Sequence, residues 1–558
     1  MTRDLASEII SEEQEALSEI RTSPLSQVPD WFDEEAYLLA NPDVSRTLAL
    51  GQLESAYEHY VLYGHDEHRP LHLPPDEPKD RLVLTERLGP ASTIVGIARG
   101  YVELVMVSPR GGIFIVGWVD DTSAPLDWIR ASGSGWFINF TAISTARFRR
   151  PDAESALNSV GMHSYGFCAF YYCATSFDTR GNCEVKLHLA DDSEMSLGVP
   201  FRRVTEVELR NTVLSYISEA QYFGNRTVEA VLTLQGQVGS SIVSHNRDIT
   251  KEIIAGAYMR QFGPKRRKLR GSIVVCLYGK PEYLFLQNAL FSGGPGFEDY
   301  ELVYVCNSPE LGEQLMRDVQ TSTLIYDVPQ TLILLPGNAG FGAANNLAVE
   351  YAQSGRILIV NPDVFPYDKN WALKHTRIIA DAPTSQTALF GAPLYYEDGS
   401  LMHGGMYFEF DTGLSVEHTA MTAKRMVRVE HYGKGTPAWS TQFTSPRPIP
   451  AVTGAFISAD RTWFEKLGGF TEDFVFGHYE DADLCLKSLQ AGVAPWIHDV
   501  KLYHLEGKGS TRLPVHQGGS YVNRALFSSR WDALISDGLH GANPTHPLLL
   551  ASSGYRLP

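Results

Sequence analysis

Three stretches of the 558-residue chain carry side chains whose types and spacing can do chemistry. The first is RILIVNPD, an apolar run that ends in Asn361-Pro362-Asp363 and so sets a carboxylate at the end of an expected strand. A carboxylate there can hold a divalent cation whose other ligands are diphosphate oxygens and water. Asn-Pro and Pro-Asp are also ordinary turn dipeptides. The second is GGFTEDFVFGHYEDADLCLKSLQAG (468–492), where Glu480, Asp481 and Asp483 open a helix. Capping accounts for one or two of these acids. A carboxylate aimed at an incoming hydroxyl can instead take its proton as a new bond forms. The third is VKLYHLEGKGS (500–510), a short strand followed by a Gly-rich loop. His504 offers a nitrogen to the same cation, while Lys508 and the backbone of Gly507–Ser510 can face phosphate. A lone histidine after a strand is also commonly structural.

These residues need a scaffold that presents them on one rim, and the pattern from Gly271 onward supplies it. SIVVCLYG, ELVYVCNS, TLILLPG and RILIVNPD read as apolar strands. They alternate with the helical stretches PEYLFLQNALFSG, LGEQLMRDVQ and FGAANNLAVEYAQSG. Such alternation marks an α/β sheet with helices on both faces. Ligands of these sheets bind beyond the carboxyl ends of the strands. Those ends carry Tyr278-Gly279, Cys306-Asn307-Ser308, Pro336-Gly337-Asn338 and Asn361-Pro362-Asp363.

The preceding half reads as smaller pieces. Residues 1–25 form an acidic tail, and 26–75 a small helical module in which Asp33 caps a helix that Asn41-Pro42 ends. A Pro-rich joint, LPPDEPKD, leads to 81–205, where short alternating runs between Gly, Asp and Pro turns predict an antiparallel β-sandwich-like domain. Its aromatics Trp118, Trp128, Trp136, Phe137, Tyr171 and Tyr172 suit either a sandwich core or stacking on sugar faces. Residues 206–267 read as a helical connector and 268–558 as the α/β domain. The fold class is thus multidomain, α/β plus β.

Composition excludes several functions. A net charge of −18 opposes broad affinity for nucleic acid or an anionic membrane surface. The basic cluster Lys265-Arg266-Arg267-Lys268 with Arg270 reads as a solvated linker. No apolar run is long enough to span a bilayer, and the acidic N-terminus lacks the features of a signal peptide. The expected location is the cytoplasm, compatible with peripheral association at the inner membrane. The six cysteines form no Cys-x-x-Cys pair, which gives no zinc or redox motif.

The ordered set LLPGNAGFGAANNLAVEYAQSGRILIVNPDV, DGSLMHGG, IPAVTGAFISADRTWFEKLGGFTEDF, HYEDADLCLKSLQAG and LYHLEGKGS resembles a family-2 glycosyltransferase of the GT-A fold. The flavour is that of the bacterial O-antigen and surface-polysaccharide type, with rhamnosyltransferase-like members. The resemblance covers about residues 270–558, with a Rossmann-like mixed sheet as the fold it implies. It makes Asp363 the metal ligand, with His504 as a metal or diphosphate contact, and Asp481 the general base with Glu480 beside it. It puts Asn338, Gly340 and Asn345 beside the nucleotide, Asn361 on ribose or water, and Gly454-Ala455 on the donor-sugar side. His403-Gly404 match a His-Ala-Gly-like element. Where the family carries an acid that contacts the base, this chain has Cys306 followed by Asn307, so Asn307 and a stacking Tyr278 become the candidate base contacts.

The resemblance implies an inverting transfer of a hexosyl or deoxyhexosyl group. The donor is a nucleotide sugar, the acceptor a hydroxyl of a glycan or lipid-linked glycan, and the cofactor Mg²⁺ or Mn²⁺. The alternative is a carbohydrate-binding or assembly protein with a degenerate transferase domain. A glycoside hydrolase would need two opposed carboxylates, and Glu480 and Asp481 are neighbours in sequence.

Overall fold

A computed structural model of the chain describes residues 32–41, 44, 55–61, 99–148, 150–158, 163–219, 238–265, 268–417, 420–507, 513–540, 546 and 548. The expected tail 1–25, the joint 73–80, Lys508, Arg266, Arg267 and most of the closing segment lie outside them. The chain divides into two compact units, Met1–Pro90 and Ala91–Pro558. The seams expected near 205 and 267 both fall inside the second.

In the first unit, helix Glu34–Ala40 starts where the Asp33 carboxylate accepts a hydrogen bond from Ala36 N at 3.0 Å. Glu34 reaches across to accept from Ala56 N and Tyr57 N at the start of helix Ala56–His59. Phe32, Tyr37, Tyr57 and Tyr60 form the small aromatic core.

The second unit begins with two sheets, antiparallel except where the edge strand Arg202–Arg203 runs parallel to Arg99–Val107. A five-stranded sheet holds Arg99–Val107 and Gly112–Asp120; a four-stranded sheet holds Leu126–Gly133, Trp136–Thr141, Asn182–Leu189 and Glu194–Pro200. Inward residues of both, among them Ile113, Ile115, Ile129, Val185 and Leu187, share one core. The aromatics divide between roles. Trp118 is buried, Trp128 stacks on His188 at 4.6 Å, and Phe137 stands 66% exposed.

The other face of the first sheet packs on helices Glu206–Glu219 and Gly239–Ala255, and that core continues into Val475 and Val522. The seam is sealed by a backbone approach. A Cβ on Gly518 would lie 1.9 Å from Leu214 O, so only glycine fits. The helix expected to reach 262 stops at Ala255, and Tyr258–Phe262 instead forms an edge strand antiparallel to Gln330–Leu334.

The central sheet has nine strands. Gly271–Leu277, Tyr300–Cys306, Gln330–Leu334 and Arg356–Val360 run parallel, and Phe456–Asp460 joins antiparallel to the last of them. The first two are buried along their whole length, which explains their largely apolar sequence; the exceptions, Ser272 and Glu301, bond to each other. Two elements frame the carboxyl rim. One is a long hairpin, Met406–Glu417 with Ala420–His431. The other is the helix Pro514–His540. Their contacts include Arg524 on Asp411, Arg425 on Asp532, and Val427 N on Ser528 Oγ. Among the described residues no helix is long and apolar enough to cross a membrane.

Candidate active site

Asp363 and His504 meet because the chain turns at Asn361 and re-enters as Val364–Pro366, which pairs antiparallel with Leu502–His504. Val364 stands opposite His504, and Leu505 N donates to Asp363 O at 3.1 Å. His504 Nε2 comes within 3.4 Å of Asp363 Oδ1, both side chains more than nine-tenths buried. His504 Nδ1 has no hydrogen-bond partner among the described residues. Two ligands on one cation at about 2.0–2.1 Å and right angles lie roughly 3 Å apart, so this pair fits a shared divalent ion. Among the described residues no group of three His, Cys, Asp or Glu side chains could hold one.

The acids at 480–483 divide into different roles. Helix Glu480–Gln490 has no side-chain cap. Asp483 is fully buried and accepts from Thr471 Oγ1, Arg530 Nη1 and Trp531 Nε1 at 2.5–2.9 Å, a brace between two helices. Asp481 Oδ2 accepts from Gly454 N at 2.7 Å and Oδ1 from Ala482 N at 2.8 Å, which fixes the carboxylate on the cavity wall. Burial raises its pKa, while those two amides pull the other way. Glu480 is pushed well above the usual carboxylate range, first by burial and then by Asp481 beside it, and its Oε2 has no hydrogen-bond partner among the described residues. Of two adjacent carboxyls in a dry wall, the one with backbone donors ionises first. Asp481 is therefore the base-competent member and Glu480 holds the proton.

A stability test follows. The folded state binds the Glu480 proton more tightly than the unfolded chain does. Its contribution to stability is thus full below the unfolded pKa and declines as pH rises toward the folded one. Glu480→Gln should melt close to wild type near pH 4.5 and above it by pH 8. Melting curves whose separation does not change with pH would contradict this assignment.

The loop that enters this helix is strained. Phe476, His478 and Tyr479 all have positive φ, at 60°, 80° and 77°, each costing about 1–3 kcal/mol. Phe341 N donates to Phe476 O at 2.5 Å. Gly340, at φ 86°, lets the two loops touch. Asn523 on helix Pro514–His540 does most of the bracing. It accepts from Val475 N at 2.7 Å and donates to Val475 O at 2.9 Å and Gly477 O at 2.6 Å.

Asn307 is buried with its amide committed. Oδ1 accepts from Ala339 N, and Nδ2 donates to Gly340 O and faces Cys276 Sγ. It shapes the 338–341 loop. Cys306 turns into the core. Tyr278 lines the cavity with its ring edge-on to His516 at 5.4 Å, and Phe476 lies edge-on to the same imidazole at 5.2 Å.

Asp363, His504, Glu480, Asp481, Tyr278, Phe476 and His516 face one cavity of about 470 Å³. Of the residues expected from the sequence, Tyr278, Asn307, Asn338, Asn361, Asp363, Gly454, Glu480, Asp481 and His504 line it. Asn345 does not. It is buried in helix Phe341–Tyr351, where Nδ2 donates to Phe341 O. Gly340 acts through its backbone. His431, Phe476, His516 and Asn523 were not anticipated. The alternation in MYFEF and RMVRVEH could have disclosed the hairpin that carries His431.

No family model matches the chain. It is 28% identical over 170 residues to an uncharacterised protein, y4gI, of Sinorhizobium fredii, across 30% of this chain and 17% of that protein. It is 24% identical over 216 residues to the O-antigen biosynthesis protein RfbC of Myxococcus xanthus, across 38% of this chain and 15% of that protein. The chain thus spans less than a fifth of either relative. Similar solved structures include GalNAc-T7 with UDP, GalNAc and Mn²⁺, at TM-score 0.32 and 13% identity, covering 52% of this chain and 55% of that one. The mannosyltransferase PcManGT of Pyrobaculum calidifontis with GDP-Man and Mn²⁺ has TM-score 0.30 and 13% identity, covering 61% and 91%. S. aureus TarS 1–349 has TM-score 0.30 and 14% identity, covering 49% and 75%.

Proposed function

We propose that residues 268–558 form an inverting glycosyltransferase that uses a nucleotide sugar and a glycan hydroxyl, in bacterial surface-polysaccharide synthesis. One observation carries the reading. The Asp363–His504 pair and the Glu480–Asp481 pair open onto the same cavity of about 470 Å³, a volume in the range of small-molecule sites. The partial likeness to an O-antigen biosynthesis protein supports the polysaccharide setting.

In this reading the acceptor hydroxyl gives its proton to Asp481 while its oxygen bonds to the anomeric carbon from the side opposite the leaving group. The bond from that carbon to the diphosphate breaks, and the configuration inverts. Gly454 N and Ala482 N hold the carboxylate in line, and Glu480, protonated, adds no second charge beside it. Tyr278, Asn338 and Asn361 border the nucleotide, and Gly454 the transferred sugar. A divalent cation held by Asp363 and His504 supplies neutralisation of the charge that develops on the departing diphosphate.

A melting-temperature screen of UDP-, dTDP- and GDP-sugars with Mg²⁺ or Mn²⁺ tests donor and cation together. A shift with one nucleotide class is expected, and Asp363→Ala should remove it. The absence of any shift, with retained binding of glycans alone, would favour a carbohydrate-binding protein with a degenerate transferase domain.

A further inference from the structure

The hairpin brings a histidine pair to the cavity that the reaction above does not use. His403 ends the short strand Leu401–His403, and His431 ends the second hairpin strand, Ala420–His431. Their Nδ1 atoms lie 3.1 Å apart with the rings edge-on. His403 is fully buried and its Nε2 has no hydrogen-bond partner among the described residues. His431 is part-exposed, lines the cavity with Asp363 and His504, and makes no hydrogen bond through Nε2 among the described residues.

A contact between two Nδ1 atoms requires that one carry hydrogen and the other not. If His431 donated, the neutral His403 would keep its only hydrogen at Nε2, a donor buried without an acceptor. If His403 donates, its orphan Nε2 is a bare acceptor, which proteins tolerate better than an unpaired N–H. The second arrangement leaves His431 with its hydrogen at Nε2, toward the cavity. Burial keeps both rings neutral, with the His431 pKa lowered to about 4. His504 is close enough to weigh on both imidazoles.

We propose that His431 is a hydrogen-bond donor to the diphosphate of the nucleotide sugar, and that His403 is the positioning residue that fixes its tautomer. The inference rests on the transferase reading above and adds a contact from an element outside the recognised motifs. A neutral donor suits this place, because it stabilises a phosphate oxygen without competing for the cation held by Asp363 and His504.

The probe is whichever of UDP, dTDP or GDP raises the wild-type melting temperature with Mn²⁺. Loss of one hydrogen bond to a charged group costs about 10–100-fold. His431→Leu should therefore weaken nucleoside diphosphate binding by that factor and lower kcat with the nucleotide sugar, while His431→Gln, which keeps an N–H near the same point, retains most of both. His403→Leu should show a smaller loss, and His403→Asn, which still offers an N–H to His431, should recover it. In the His431→Leu background, His403→Leu should cost nothing more, a result that general damage to the fold would not give. Wild-type binding and turnover that persist unchanged in folded His431→Leu would overturn this inference alone. Wild-type protein that binds none of the three diphosphates would sink the transferase reading itself.

Discussion

Asp481→Asn is expected to reduce turnover by about 10²–10⁴-fold, roughly 3–5 kcal/mol of transition-state stabilisation, with donor binding nearly unchanged. The asparagine keeps an oxygen for Gly454 N or Ala482 N, so the wall retains its shape. It cannot accept the hydroxyl proton. The pH profile gives the more searching test. Burial raises the pKa of Asp481, so wild-type kcat/KM should fall on acidification at a higher pH than an ordinary aspartate would cause. That limb should vanish from the residual activity of the asparagine variant. A nucleotide-release assay showing full sugar transfer by Asp481→Asn would remove the base from the mechanism.

Asn523→Leu should be the most damaging change far from the chemistry. It strips the partners from Val475 N and Gly477 O, while Val475 O keeps only its bond from Gly477 N. Each unpaired group costs about 1–3 kcal/mol, and the positive φ values at Phe476, His478 and Tyr479 lose their restraint. The expected result is a melting temperature lower by several degrees and kcat/KM reduced even well below the transition, because the loop sets the entry angle of Glu480 and Asp481. Asn523→Asp, which keeps the acceptor for Val475 N but loses the three bonds donated to Val475 O, Gly477 O and His478 O, should fall between. Intact activity in a folded leucine variant would show that the loop holds its conformation unaided.

These two residues show what could be read in advance. That acids at 480–483 open an apolar-periodic helix was legible as a local pattern, and so was Asp363 at a strand end; the choice of Asp481 among those acids came from the resemblance. The parallel strands were legible for the same reason, since burial on both faces leaves a mostly apolar run with a few paired polar residues. Asn523 was not. Its importance lies in a contact with residues 48 positions earlier, and one asparagine in a helix carries no sign of its partners. His431 was hidden in the same way, since its meaning comes from a register that sets it beside His403. Asn345 shows the converse. It stands where a motif places a nucleotide contact, yet helical geometry directs its amide back to Phe341 O. The strand Tyr258–Phe262 was missed because an exposed edge strand lacks a continuous apolar signature.

The helix Pro514–His540 has a further consequence for how the protein matures. Asn523 holds the loop leading to Asp481, and its neighbour Arg524 binds Asp411 and Val427 O on the hairpin that carries His431. Both walls of the cavity therefore wait on a segment made after either of them. During synthesis the central sheet can form first, but the reactive groups cannot reach their final places until this segment docks. A chain stopped before Asn523 would lack the bonds that brace both walls of the cavity.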